Sequence, residues 1–223
     1  MLEIRHKKTR AVLLQIDADS LAGRKMAGSR LREADLAGAD LSGADLVNSD
    51  LRDADLQNAN LAGALLNGAY LIGANLVRAN LTGADLTDAK LHRAELQEAR
   101  LVKANLRYAQ LQEAILCGAD LTGADLSMAD LRADFHDARL MRADLRAADL
   151  SGANLRGADL QESNLTGAKL AAAQLVGAKT FGMINVQGQK LSLNPASGAK
   201  KSNLQPWWKF WSRPAKSIKP VGK

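Results

Sequence analysis

Ala39-Asp40-Leu41-Ser42-Gly43-Ala44-Asp45-Leu46 holds the pattern that decides the fold. Leu41 and Leu46 are five residues apart, each preceded by Asp and, two positions back, by Ala. Working outward, Leu recurs at every fifth residue from Leu31 to Leu131. After a one-residue deletion the series resumes at Phe135 and runs from Leu140 to Leu175. Of these 30 centres, 29 are Leu and one is Phe; Ala stands two residues before 27 of them and Ser before three, through Ser29, Ser49 and Ser163. Asp or Asn fills the intervening position in 19. Leu21 and Met26 extend the spacing backwards, but Asp19 and Arg24 break the small-residue rule and read as a lead-in.

A five-residue period excludes both regular structures. Five residues advance a helix by about 500°, so successive Leu would scatter around the cylinder and form no apolar stripe. In a continuous strand, strict alternation would flip each Leu to the opposite face. The pattern is satisfied by a short extended piece followed by a bend. Ala and Leu, two apart, point inward, and the Asp or Asn between them points out. The next two residues turn the corner. Gly takes the second corner position in 12 of the 30 units, as expected where positive φ is wanted, and Asp and Asn support turns through bonds to nearby backbone.

These residues resemble the pentapeptide-repeat family, with its A(D/N)LXX motif, across residues 29–179. The resemblance implies an all-β fold, a right-handed quadrilateral β-helix with four repeats per coil. Counting Leu21 and Met26 gives about eight coils and, at about 4.8 Å per coil, a rod roughly 38 Å long. Leu would stack on Leu along four interior ladders, which explains a chain with 47% hydrophobic residues but only 4% aromatics. The four-residue step from Leu131 to Phe135 should tighten one corner, with no role assigned to it.

Solenoid ends expose apolar ladder and unpaired strand, so they need caps. In residues 1–18, Leu2 and Ile4, then Val12, Leu14 and Ile16, flank a polar stretch and read as a capping hairpin. The β-helix is expected over 19–180. Residues 181–193, with Phe181, Met183, Ile184 and Val186 before Gln187-Gly188-Gln189, read as a C-terminal cap. Residues 194–223 read as a basic, Trp-rich linker and flexible tail, with Pro195 and Gly198 favouring mobility.

The net charge of +6 is partitioned. Residues 30–179 carry 16 basic and 21 acidic side chains, and residues 180–223 carry 8 basic and none acidic. Most of the excess positive charge thus sits in the tail, which argues against direct nucleic-acid binding by the body. One cysteine, Cys117, precludes an intrachain disulfide framework. His6, His92 and His136 lie far apart, without zinc-ligand spacing. No stretch is long and apolar enough for a membrane helix, and Met1–Leu21 lacks a secretory h-region. Columns of Asp on a convex rod lack the dry, differentiated cleft that carboxylate catalysis needs. No catalytic residue, metal ligand or cofactor is assigned.

Two features suggest a partner. Leu65, Tyr70, Ile72 and Val77 belong to one coil, residues 61–80, and form part of an apolar belt on adjoining faces. A basic run over Lys90–Arg107 is interleaved with Glu95 and Glu98 and reads as charge mixing. In the tail, Trp207, Trp208, Lys209, Phe210, Trp211 and Arg213 pack four aromatics among cations. Three readings of that run remain open: a lid over the last coil, a linear motif that docks on a partner, or a contact with an anionic membrane surface. The polar linker favours a tether with wet indoles in the free protein. The function expected is a non-enzymatic interaction or scaffold module for another protein, bacterial and cytoplasmic, with peripheral membrane contact through the tail as an alternative and homodimerisation open. The resemblance also implies an alternative, an acidic mimic of duplex DNA that binds an enzyme such as DNA gyrase.

Overall fold

The computed structural model describes residues 1–190. From Lys25 to Asn164 every outward position pairs in parallel with the residue one coil later, as in Lys25↔Asp45, Asp45↔Leu65 and Leu65↔Asp85. A period of 20 residues means four pentapeptides per coil, hence four walls. Each wall is one column of outward residues. Asp45-Leu65-Asp85-Asn105 runs along the first and Asp50-Tyr70-Lys90-Gln110 along the second. Asp55-Asn75-Glu95-Ile115 marks the third and Asn60-Asn80-Arg100-Asp120 the fourth.

Backbone hydrogen bonding explains the motif position by position. In the repeat of Leu41, the Leu41 amide donates to Asn60 O at 2.7 Å and the Gly43 amide to Ala62 O at 2.8 Å, both one coil on. The Ala44 amide closes the corner on Leu41 O at 3.0 Å, and the Asp45 amide donates back to Arg24 O at 2.8 Å. Four of the five amides are thereby bonded, and the fifth, at Ser42, is taken by the Asp40 side chain at 3.1 Å. Asp and Asn do this throughout the rod, Asp35 alone excepted. The acidic and amide residues of the repeat are thus turn caps first.

The corner is a turn whose third residue has positive φ, the type II pattern. Glycine fits it, as at Gly43 with φ 62°, but Glu33, Lys103, Ala147 and other non-glycine residues adopt the same conformation. Inside, the ladder Leu residues from Leu31 to Leu165 are at most 3% exposed, and Phe135 fits between Leu116 and Leu155 with no exposure. The deletion shortens one corner to the contact of Ala133 N with Leu131 O at 2.8 Å. Pairing steps by 19 from Ile115↔Asp134 to Asp130↔Asp149 and returns to 20 at Asp134↔Asn154.

At the N-terminus, β1 (Leu2–His6) and β2 (Val12–Ile16) form an antiparallel hairpin. Strand β1 also pairs with β3 (Ala34–Asp35) through Arg5↔Asp35 and His6↔Ala34, so the hairpin covers the third wall's first edge. Ile4 closes the core there at 2% exposure. At the other end the coil continues past residue 180, where the sequence spacing had placed the boundary. Thr180 and Asn185 occupy buried centre positions, and Asn164 pairs in parallel with Ile184. The chain then turns at Asn185–Gln189, with Asn185 Oδ1 accepting from Gln187 N and Gln189 N, and Lys190 returns antiparallel to Ile184. The expected linker and tail, 194–223, with the aromatic run, lie outside the described residues.

Candidate partner-binding surface

The coil places the four belt residues on three walls. Tyr70 and Ile72 flank the buried Leu71 and stand side by side on the second wall, whereas Leu65 lies on the first and Val77 on the third. Leu65 and Tyr70 are 44% and 45% exposed, and Ile72 and Val77 are half-buried. The belt is one coil thick. Leu65 sits between Asp45 and Asp85, so its apolar surface ends at carboxylates on both sides.

The second wall continues what Tyr70 begins. Tyr70, Lys90 and Gln110 stack on consecutive coils, with Ile72, His92 and Gln112 alongside them. Between Asp50 and Asp130 this wall carries no carboxylate. Both bounding acids are occupied: Arg52 donates to Asp50 and Arg132 to Asp130, each at 2.6 Å, and those bonds hold the two carboxyls below the usual Asp range. The corner bordering the wall adds Tyr108 and Met128, one coil apart and 42% and 53% exposed. Both adopt φ 60°, a conformation bulky side chains rarely accept. Sequence reasoning passed over them. The signal was there: Tyr and Met stand at the corner position otherwise filled mainly by Gly, Asn, Asp and charged residues.

The other candidates resolve into structure. Arg78–Glu98 and Arg93–Glu113 pair across coils at 2.8 and 2.7 Å, which engages Arg93 and Glu98 of the mixed-charge run at 90–107. His136 faces Asp137 at 3.2 Å on the surface. Cys117 is half-buried, and burial together with the neighbouring Asp134 carboxylate pushes its thiol pKa up, opposite to what an activated nucleophile requires. Among the described residues no group of three His, Cys, Asp or Glu is placed to hold a metal ion, and no helix is long and apolar enough to cross a membrane.

The family model for pentapeptide repeats matches residues 20–53, 29–68, 64–101, 99–133 and 143–179. The chain belongs to the pentapeptide-repeat family. The β-helix is accordingly right-handed, and the members of this family serve in general as structural or interaction modules. Among solved structures the chain is similar to HetL, a pentapeptide repeat protein involved in heterocyst differentiation regulation in the cyanobacterium Nostoc sp. strain PCC 7120. The two are 35% identical over 76% of this chain and 92% of HetL, with a TM-score of 0.36. A pentapeptide repeat protein of the Arabidopsis thaliana thylakoid lumen is 37% identical over 44% of this chain and 64% of its own, with a TM-score of 0.37. QnrB1, a plasmid-mediated fluoroquinolone resistance protein, is 21% identical over 75% of this chain and 91% of its own, also with a TM-score of 0.37. No protein of curated function matches the chain.

Proposed function

We propose that this pentapeptide-repeat protein is a non-catalytic module that binds a partner protein through the second wall of its middle coils. The observation that carries this reading is where the turn caps are missing. Between residues 35 and 164 eight repeats lack Asp or Asn before the centre, and seven of them, Leu65, Tyr70, Lys90, Glu95, Arg100, Gln110 and Ile115, fall within 65–115. A repeat that gives up its cap leaves one corner amide to water, at a cost that the coil itself gains nothing from. The residue put there instead is free to serve the surface. On the second wall three such repeats are contiguous, and they adjoin the aromatic and thioether of the Tyr108–Met128 corner. Exposed aromatics and Met beside Lys90, Gln110 and Gln112, with Asp88 at the bordering corner, have the composition of a protein-docking patch.

The acidic-mimic alternative is the weaker one on physical grounds. Duplex DNA carries about one negative charge per 1.7 Å of axis. Here the second wall is carboxylate-free over three coils, and many acids elsewhere are engaged by Arg or Lys, as in Arg142–Glu162 at 2.7 Å and Arg146–Asp144 at 2.6 Å. Supercoiling by DNA gyrase should therefore proceed unchanged at equimolar protein. The interaction reading is tested by quantitative co-purification with full-length bait. The double variant Tyr70→Asp/Tyr108→Asp should lose a specific prey that Val102→Asp, on the opposite wall, retains. Equal recovery by both variants would remove the second wall from the account, and inhibition of gyrase by the wild type would restore the mimic.

A further inference from the structure

We propose that the C-terminal end of the β-helix is a docking site for this chain's own aromatic run, Trp207–Trp211. The argument starts from the last coil. From Gly23 to Gly167 each centre amide and each second-corner amide, that of Ala133 excepted, donates to the next coil. In the last coil, among the described residues, the amides of Leu170, Ala172, Leu175, Gly177, Thr180 and Gly182 find no acceptor. Among the described residues only the first wall is covered, where Lys190 returns onto Ile184. Three consecutive walls thus end in open strand edge. The rim is apolar as well: Val176 is 61% and Phe181 49% exposed, and Leu170 is only half-buried at a centre position that is sealed elsewhere along the rod. An edge of this kind is a template for strand addition. At the opposite end of the rod the β1–β2 hairpin covers the third wall, through Arg5↔Asp35 and His6↔Ala34.

The chain supplies its own occupant. Lys190 sits on the first wall beside the open edge, and its antiparallel bridge to Ile184 points the chain there back toward Phe181. Residues 191–223 contain all three Trp of the protein. The sixteen residues 191–206 span at most roughly 55 Å when extended, more than enough to bring the aromatic run back. Pro206 and Pro214 flank a run that itself contains no proline, so its backbone can pair with the free amides while Trp and Phe cover the ladder ends. Charge does not select the site: the coil 165–185 carries Lys169 and Lys179 and no acid, and the run is itself cationic. The contact is therefore apolar and hydrogen-bonded. This placement is independent of the second-wall reading and replaces the mobile tether expected from linker composition.

The test uses the full chain, whose only tryptophans lie in this run. Emission should be blue-shifted and shielded from iodide, and should not change between about 0.15 and 0.5 M salt, where screening would release a charge-driven fold-back. Phe181→Asp and Val176→Asp, both at exposed positions, should shift emission to the red and raise iodide quenching severalfold, with the thermal melt of the rod retained. Tyr70→Asp should do neither. Wet indoles in the wild type would overturn the proposal, as would protection that disappears on dilution, the mark of a second copy. So would protection that appears only on adding phosphatidylglycerol vesicles, the mark of a membrane surface.

Discussion

Leu86→Ala tests the ladder at its middle. Leu86 is fully buried, and so are Leu66 and Leu106 directly before and after it in the same ladder. The substitution removes three carbons, worth about 0.8 kcal/mol each in transfer, or about 2.4 kcal/mol together. A cavity term adds to this, and here the cavity cannot close along the rod. Leu66 N to Asp85 O and Leu86 N to Asn105 O, both 2.7 Å, fix the coil spacing on either side. The expected loss is therefore in the upper part of the range for large-to-small core changes, about 3–5 kcal/mol. Thr87→Arg is the matched control. The same position relative to its Asp is occupied by Arg in Arg52–Asp50, Arg132–Asp130 and Arg146–Asp144, each pair at 2.6 Å. A guanidinium at 87 can pair with Asp85 in that geometry, replacing the Thr87 hydroxyl bond, so a change of only about 0.5 kcal/mol is expected. Urea titrations of both variants, followed by far-ultraviolet circular dichroism, check the pair. Equal losses at 86 and 87 would refute the inward–outward register on which the fold rests.

Other consequences concern caps, corners, charge and ends. Asp120→Ala should cost about 0.5–1.5 kcal/mol, because Asp120 accepts from both the Thr122 amide and hydroxyl, while Asp120→Asn should keep most of it in the same urea assay. Ala147, at φ 55°, should accept Gly with a gain of up to about 1 kcal/mol, whereas Gly at its buried neighbour Ala148 should lower the melting temperature. The Asp50 and Asp130 carboxyls titrate below their unfolded value, so the stability they contribute is present above about pH 4 and is lost as pH falls through their folded pKa. Melts should accordingly be flat from about pH 7 to pH 5 and decline below about pH 4, and Arg52→Ala/Arg132→Ala should make that decline shallower. Removing residues 1–18 exposes the edge of Ala34–Asp35 and should cause end-to-end association visible in light scattering.

The repeat made the inward register legible: one Leu every five residues with a small residue two before it calls for a short extended piece followed by a bend, while the four-sided coil came from the family resemblance. The corner was legible in part. Gly at Gly43 or Gly123 announced positive φ, but Glu33, Tyr108 and Met128 adopt it because the coil's bonding imposes it, and no local preference records that. The sequence reads the Asp and Asn residues as turn supports, and the structure makes them acceptors for the one amide per repeat that the coil leaves over. Leu65, Tyr70, Ile72 and Val77 share a coil and lie on adjoining walls, where the sequence reading placed them. The more coherent surface runs along the rod through Tyr70, Lys90 and Gln110 and becomes visible once residues 20 apart are neighbours. The continuation through Thr180 and Asn185 was hidden because polar side chains fill ladder positions there.

The central claim, docking along the second wall, is tested most directly by placing a photo-crosslinking benzoylphenylalanine at Tyr70, at Tyr108 and, as control, at Val102 of the full-length protein in bacterial cells. The account predicts one discrete adduct of the same mass from positions 70 and 108, on a wall and its bordering corner, and none from position 102. Adducts of equal yield from all three positions, or an adduct from 102 alone, would contradict it.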